Sequence, residues 1–154
     1  MKRRTFLKGS VAAGAVSAAM GAGLLTPRMV LAAWPSAAFE ATSVDGALDA
    51  LYGSHQLDGS EKISIRAPDI AENGAVVPVS VTTTIAAPES ISIVAEKNAS
   101  PLTASFKLGQ GVEGFVSTRI KMGKTSSVIA VVKADGKLYS TGKEVKVTIG
   151  GCGG

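Results

Sequence analysis

From residue 60 onward the apolar residues recur at every second position, in short runs broken by turn residues. Ile63, Ile65 and Ala67 alternate with polar neighbours, as do Val77, Val79, Val81, Thr83 and Ile85. Ile91, Ile93 and Ala95 form a third run, and Phe106 and Leu108 a fourth. Residues 115–120 and 127–133 follow, and Val145, Val147 and Ile149 form the final strand. A period of two sends one side of each run to a core and the other toward water. Asp135-Gly136 joins the run ending at Lys133 to Lys137, Leu138 and Tyr139, a dipeptide suited to a hairpin turn. Pro78 cannot donate a ladder hydrogen bond, so its strand is expected at an edge or at a bulge. Seven or eight such strands predict a mainly β chain folded as an antiparallel immunoglobulin-like β-sandwich. With one cysteine in the chain, the Cys-Trp-Cys core of antibody domains is absent.

One stretch before the strands has helical spacing. Val44, Ala47, Leu48 and Leu51 share a face, with Tyr52 beside them. Thr42 is the expected cap, with Asp45 completing a capping box, and Gly53 is the expected stop. The sandwich therefore carries a short N-terminal helix, which needs packing against something to persist.

The two ends of the sequence are unlike this body. The last five residues are Gly150, Gly151, Cys152, Gly153 and Gly154, and Cys152 is the only cysteine. A single cysteine makes no intramolecular disulfide, and with His55 alone it builds no zinc site. A lone cysteine is usually a small buried hydrophobe, but glycines offer no side chains to bury it. The reading is a flexible glycine-rich C-terminal arm with a thiol near its tip. Three uses stay open: an accident of the tail, half of an intermolecular disulfide, or a chemically employed thiol.

At the other end, Arg3-Arg4-Thr5-Phe6-Leu7-Lys8 matches the twin-arginine export pattern. A mild apolar run follows from Val11 to Leu25, interrupted by Gly14, Gly21 and Gly23 and too weak for a membrane span. Small residues then offer cleavage after Ala32, Ala33 or Ala38, and Ala33 is the working boundary. Residues 1–33 are thus read as a signal peptide, 34–149 as the sandwich domain and 150–154 as the arm. The expected location is the periplasm, an oxidising compartment where a useless exposed thiol is a liability.

Removing the leader changes the charge. The whole chain has 16 basic and 12 acidic residues. Lys2, Arg3, Arg4, Lys8 and Arg28 go with the leader, which leaves 11 against 12 and a net charge of −1. Nucleic-acid binding loses its electrostatic support, and no membrane anchor is expected.

Other motifs fail on context. Gly109-Gln110-Gly111-Val112-Glu113-Gly114 spells G-x-G-x-x-G, but a strand-like stretch follows where a helix is required, so it reads as a loop. Gly123-Lys124-Thr125 copies the end of a P-loop, but Thr118 stands where its first glycine belongs. His55 reads as a solvated surface residue. No Ser/His/Asp set or carboxylate pair stands out. A fixed catalytic cysteine needs a base on a rigid element, whereas a thiol on a slim arm suits entry into another protein's active site.

The ending VKVTIGGCGG, the twin-arginine leader and the all-β body together resemble the SoxY family, sulfur carriers of periplasmic thiosulfate oxidation. The resemblance implies a carrier without a catalytic site, metal or cofactor of its own. Cys152 would hold the sulfur covalently, and Gly150, Gly151, Gly153 and Gly154 would give it access. It implies a heterodimer with a SoxZ-like subunit, loading by a SoxAX-like cytochrome, sulfate release by a SoxB-like hydrolase and further oxidation by a SoxCD-like enzyme. Two other readings use the same residues. A secreted structural sandwich would employ Cys152 only in a disulfide-linked dimer. A thiol peroxidase would need a resolving cysteine or an evident base, and the sequence offers neither.

Overall fold

The computed structural model describes residues 34–148. The signal peptide and the thiol arm expected from the sequence lie outside the described residues.

Two helices open the described chain. Helix α1 spans Ser36–Glu40 and was not foreseen. Helix α2 spans Val44–Tyr52. Its cap is Ser43, not Thr42: the Ser43 Oγ accepts a hydrogen bond from the Gly46 amide at 3.1 Å. Starting one residue later puts Asp45 second in the helix, so there is no capping box. Asp45 still lies in the first turn, where a negative charge meets the positive end of the helix dipole. Gly53 ends the helix as expected, in the left-handed conformation at φ 77°.

Nine strands follow: β1 Asp58–Gly59, β2 Ile63–Arg66, β3 Ile70–Ala71, β4 Val77–Thr83, β5 Ser90–Ala95, β6 Leu102–Lys107, β7 Phe115–Ile120, β8 Ser126–Ala134 and β9 Lys137–Val147. The larger sheet has the order β1-β9-β8-β5-β6, with β3 also paired to β9. The smaller sheet has the order β2-β4-β7. All pairings are antiparallel except the two-residue strands β1 and β3, which run parallel to β9 near its start and its end. The architecture is the expected immunoglobulin-like sandwich.

The Asp135-Gly136 hairpin forms as read. Ala134 faces Lys137 across it, and both turn residues have positive φ, 50° and 71°. Such angles match the twist of the flanking strands. The strand expected around Lys137 and the one expected around Val145 are a single strand, β9. It stays paired with β8 from Lys137 to Val145, so no break separates the two.

Strand β4 is not an edge strand. It lies in the middle of the smaller sheet. The Thr83 amide bonds to the Gly114 carbonyl on the β7 side, and the Thr84 amide to the Lys62 carbonyl on the β2 side. Alternation along β4 therefore turns the nitrogen of Pro78 toward β2. Strand β2 reaches only to Arg66, opposite Ser80. The missing donor thus faces a stretch where no neighbour needs it.

The main core lies between the sheets. Val77, Val79 and Val81 of β4 meet Ile91 and Ile93 of β5 and Val128, Ala130 and Val132 of β8, all buried. The opposite face of the larger sheet is covered by the helices, giving three layers. Ala38 and Ala47 pack on Val94 and Leu102, and Leu48 packs on Val131 and Leu138. Full burial of a leucine such as Leu48 contributes about 1.5–3 kcal/mol. β5 is consequently buried on both faces. Its outer polar residues find partners beneath the helix. The Tyr52 hydroxyl lies 3.1 Å from the Ser90 Oγ and 2.6 Å from the Ser92 Oγ, and Ser92 donates to the Ser105 Oγ at 2.8 Å. This fixes the helix against the sheet and leaves those buried hydroxyls satisfied.

Candidate functional site

Cys152 and its four glycines lie beyond Thr148, outside the described residues. The structure describes the place from which they leave. One residue before the end of β9, the Lys146 amide donates to the Asp69 carbonyl at 2.9 Å. The Val147 amide donates to the Thr125 Oγ1 at 2.9 Å, and that hydroxyl lies 3.4 Å from the Val147 carbonyl it donates to. The Thr148 amide donates to the Ala71 carbonyl at 3.1 Å, and its hydroxyl to the Glu72 carbonyl at 3.4 Å. Strand β3 thus adds a second partner to β9 where β8 stops pairing, since β8 reaches only Val145. Lys143 braces this arrangement: its Nζ donates to the Ala67 carbonyl at 2.6 Å and pairs with Asp69 at 3.0 Å.

Two neighbouring turns complete a collar around this root. The Met122 amide bonds to the Gly74 carbonyl at 2.7 Å, which ties the 121–125 turn to the segment after β3. Asn98 links the same turn to the loop after β5. Its Nδ2 donates to the Lys121 carbonyl at 2.7 Å, and its Oδ1 accepts from the Gly123 amide at 3.0 Å. The backbone is therefore held through Thr148, and Cys152 follows four residues later. At ~3.3–3.6 Å per residue those four residues reach roughly 14 Å.

No local pattern in the sequence signals this collar. β3 is too short for a period to register, and Thr125 stood out only as part of a failed P-loop. That motif holds no phosphate loop here. Its threonine clamps the last strand. The G-x-G-x-x-G match lies in the loop between β6 and β7, as expected. Arg3 and Arg4, like Cys152, lie outside the described residues.

His55 is an exposed residue just past α2, as the sequence suggested, and is about half exposed together with Asp49. Its Nδ1 lies 2.9 Å and 3.0 Å from the two carboxylate oxygens of Asp49. That hydrogen bond first, and the charge of Asp49 second, raise the imidazole pKa above its ordinary value of 6.5. A raised folded-state pKa stabilises the fold fully below the unfolded value. The contribution is lost as pH rises through the folded value. Asp49→Asn is expected to lower the His55 titration, followed by NMR, and to flatten the stability profile in the window above its ordinary value. At so exposed a position the stability change is small.

Among the described residues no group of three or more metal-ligating side chains converges, and no helix is long and apolar enough to cross a membrane.

The family model "Sulfur oxidation protein SoxY" matches residues 48–152, a span that ends at the cysteine. The solved structure of the sulfur carrier protein SoxY from Chlorobium limicola f thiosulfatophilum is similar at 47% identity and TM-score 0.63. The match covers 70% of this chain and 97% of that one. The human F-spondin reeler domain matches at 15% identity and TM-score 0.35, over 59% of this chain and 92% of its own. No curated protein matches. A two-sheet sandwich whose last strand delivers the chain to a glycine-flanked cysteine, matched over two thirds of its length by one family model, has one placement: this chain belongs to the SoxY family of sulfur oxidation proteins.

Proposed function

We propose that this protein is the covalent carrier of sulfur intermediates in periplasmic thiosulfate oxidation, with Cys152 as the attachment point. One observation carries the reading. β9 is hydrogen-bonded through Thr148, and the cysteine follows four residues later among glycines. A thiolate placed there can form sulfur–sulfur bonds and be offered to another protein's active site. A cysteine held by a rigid element against a base would instead serve chemistry in place. The domain acts as the holder and supplies no catalytic group, metal or cofactor of its own.

In this reading the chain reaches the periplasm by the twin-arginine route signalled at Arg3 and Arg4. It works as a heterodimer with a SoxZ-like subunit. A SoxAX-like cytochrome joins thiosulfate to Cys152 oxidatively. A SoxB-like hydrolase removes the terminal sulfone as sulfate, and a SoxCD-like enzyme oxidises the sulfur that remains.

Intact-mass and peptide analysis of protein purified from cells growing on thiosulfate tests this. The peptide containing Cys152 should carry sulfur adducts that reductant removes. A Cys152 found only as a free thiol, or only disulfide-linked to a second copy, would overturn the proposal and favour a structural cross-link.

A further inference from the structure

The chain holds two asparagines, Asn73 and Asn98, and the fold treats their carboxamides in opposite ways. Asn98 engages both ends of its side chain: its Nδ2 donates to the Lys121 carbonyl at 2.7 Å, and its Oδ1 accepts from the Gly123 amide at 3.0 Å. The residue after it is Ala99, which carries a side chain. Asn73 engages only its oxygen. The Oδ1 accepts from the Ala75 amide at 3.0 Å, an Asx turn, and the Nδ2 donates to nothing among the described residues. The residue after it is Gly74, which has no side chain to shield the Asn73 Cγ.

Asn73 lies on the turn between β3 and β4 and is exposed, as are Glu72 and Ala75 beside it. The Val76 amide closes the turn on the Asn73 carbonyl at 3.2 Å. The Gly74 carbonyl accepts from the Met122 amide, but the Gly74 amide donates no hydrogen bond among the described residues. These features suit a reaction within the turn. The deprotonated Gly74 nitrogen attacks the Asn73 Cγ, the Cγ–Nδ2 bond breaks, and Nδ2 leaves as ammonia. A five-membered succinimide then joins the two residues. Water opens it at either carbonyl. Opening at Cγ gives aspartate. Opening at the main-chain carbonyl gives isoaspartate, in which the chain runs through Cβ and Cγ. The sum is asparagine plus water going to a carboxylate and ammonia, with nothing oxidised or reduced. Negative charge develops on Oδ1 during the attack, and the Ala75 amide already aims a donor at that oxygen. Asparagine is among the residues depleted from heat-adapted proteins as thermolabile.

We propose that Asn73 is a self-modification site of the folded protein, and that its isoaspartate product loosens the collar. The site lies between two of the collar's ties, the Ala71 carbonyl that accepts from Thr148 and the Gly74 carbonyl that accepts from Met122. Isoaspartate lengthens the main chain between them by one carbon. Gly74 is buried, so the longer chain displaces its carbonyl from the Met122 amide.

The test ages the whole protein at mildly alkaline and mildly acid pH and follows its tryptic peptides by mass. Peptide 67–97, released by cleavage at Arg66 and Lys97, contains Asn73 as its only carboxamide. It should gain one mass unit with time as hydroxyl replaces the amide group. The gain should be several-fold faster at alkaline pH, because the attack needs a deprotonated nitrogen. Peptide 98–107, which contains Asn98, should stay unchanged over the same period. Asn73→Ser keeps an oxygen for the turn and should leave peptide 67–97 unchanged. Enzymatic methylation of isoaspartate marks the lengthened form. In that fraction the Met122 and Thr148 amides, followed by NMR, should exchange with deuterium faster. Freshly prepared Asn73→Asp adds the charge without the extra carbon and should protect both amides as the unaltered protein does. An unmodified peptide 67–97, under conditions that convert a synthetic peptide of residues 70–77, would overturn the site. Equal conversion of both asparagines would also overturn it, since the fold would then select neither. Isoaspartate at 73 with unchanged exchange at Met122 and Thr148 would overturn the loosening.

Discussion

Cys152→Ser abolishes thiosulfate-dependent electron transfer in a reconstituted system and leaves the fold as stable as before. The first half of this expected result follows from chemistry. A serine hydroxyl forms no persulfide or thiosulfonate, so no residual carriage remains at any enzyme concentration. The second half follows from position. Every buried core residue of the described domain lies between Ala38 and Val145, and the hydrogen bonds that finish the last strand end at Thr148. The substitution falls four residues beyond them in sequence, and changes outside such features usually stay within about 0.5 kcal/mol. Thermal melting and the electron-transfer assay measure the two halves independently. Retained transfer in the serine variant would mean that the cargo is not held covalently at this position.

Replacing both Gly151 and Gly153 by valine is the second large effect. The cysteine stays, and so does its spacing of four residues from Thr148. What changes is the width of the chain on either side of the sulfur and the freedom of its backbone angles. β-Branched side chains restrict χ1 and crowd the local backbone, while glycine does neither. An enzyme that takes the tip into a narrow site must then accommodate two isopropyl groups or hold the sulfur off line. A misplacement of ~1 Å costs on the order of 10²-fold in rate. Thiosulfonate formation and sulfate release are therefore expected to slow by about 10–100-fold with an unchanged melting temperature. Gly150→Ala, nearer the last strand, should do much less. A simple cross-link between two copies needs only a reachable sulfur and would survive the valines. Unaltered loading rates in the double variant would sink the substrate-arm explanation even with Cys152 essential.

Much of the sandwich could be read from the sequence because strand period and turn chemistry are local signals. Asp135-Gly136 is legible from two residues, and the structure puts the turn there. β5 shows how a correct reading can still miss an architecture. Ile91 and Ile93 alternate with Ser90 and Ser92, so the strand reads as half-exposed. The serines are polar because they bond Tyr52 and Ser105 beneath a helix, not because they meet water. No local pattern distinguishes these cases. The third layer, including α1, becomes visible only when Val94 and Val131 are seen to need a cover. Pro78 misled for a related reason. The lack of a donor implies an unpaired side, but only at that one position, and a short neighbouring strand supplies it within the middle of a sheet.

The candidate site divides in the same way. Glycines around a single cysteine are a compositional signal that survives without any structure. The collar is the opposite case. β3 is a two-residue strand that pairs with residues about 76 positions later, so its existence depends on tertiary closure.

The collar also bears on how freely this end of the protein can drift over generations. Its knots are tied largely with main-chain atoms: the carbonyls of Asp69, Ala71 and Gly74 and the amides of Met122, Lys146 and Thr148. Such bonds are indifferent to which side chain each position bears. Thr125, Asn98, Lys143 and Thr148 are the exceptions, because they contribute their own oxygen or nitrogen. Substitutions at exposed Ile70 and Glu72 that keep the backbone extended should pass unnoticed, while positions whose side chains make the bonds should be intolerant. A strand end secured in this manner behaves as a socket with a standard fitting, into which the last residues of a related carrier could be spliced without redesigning what surrounds them.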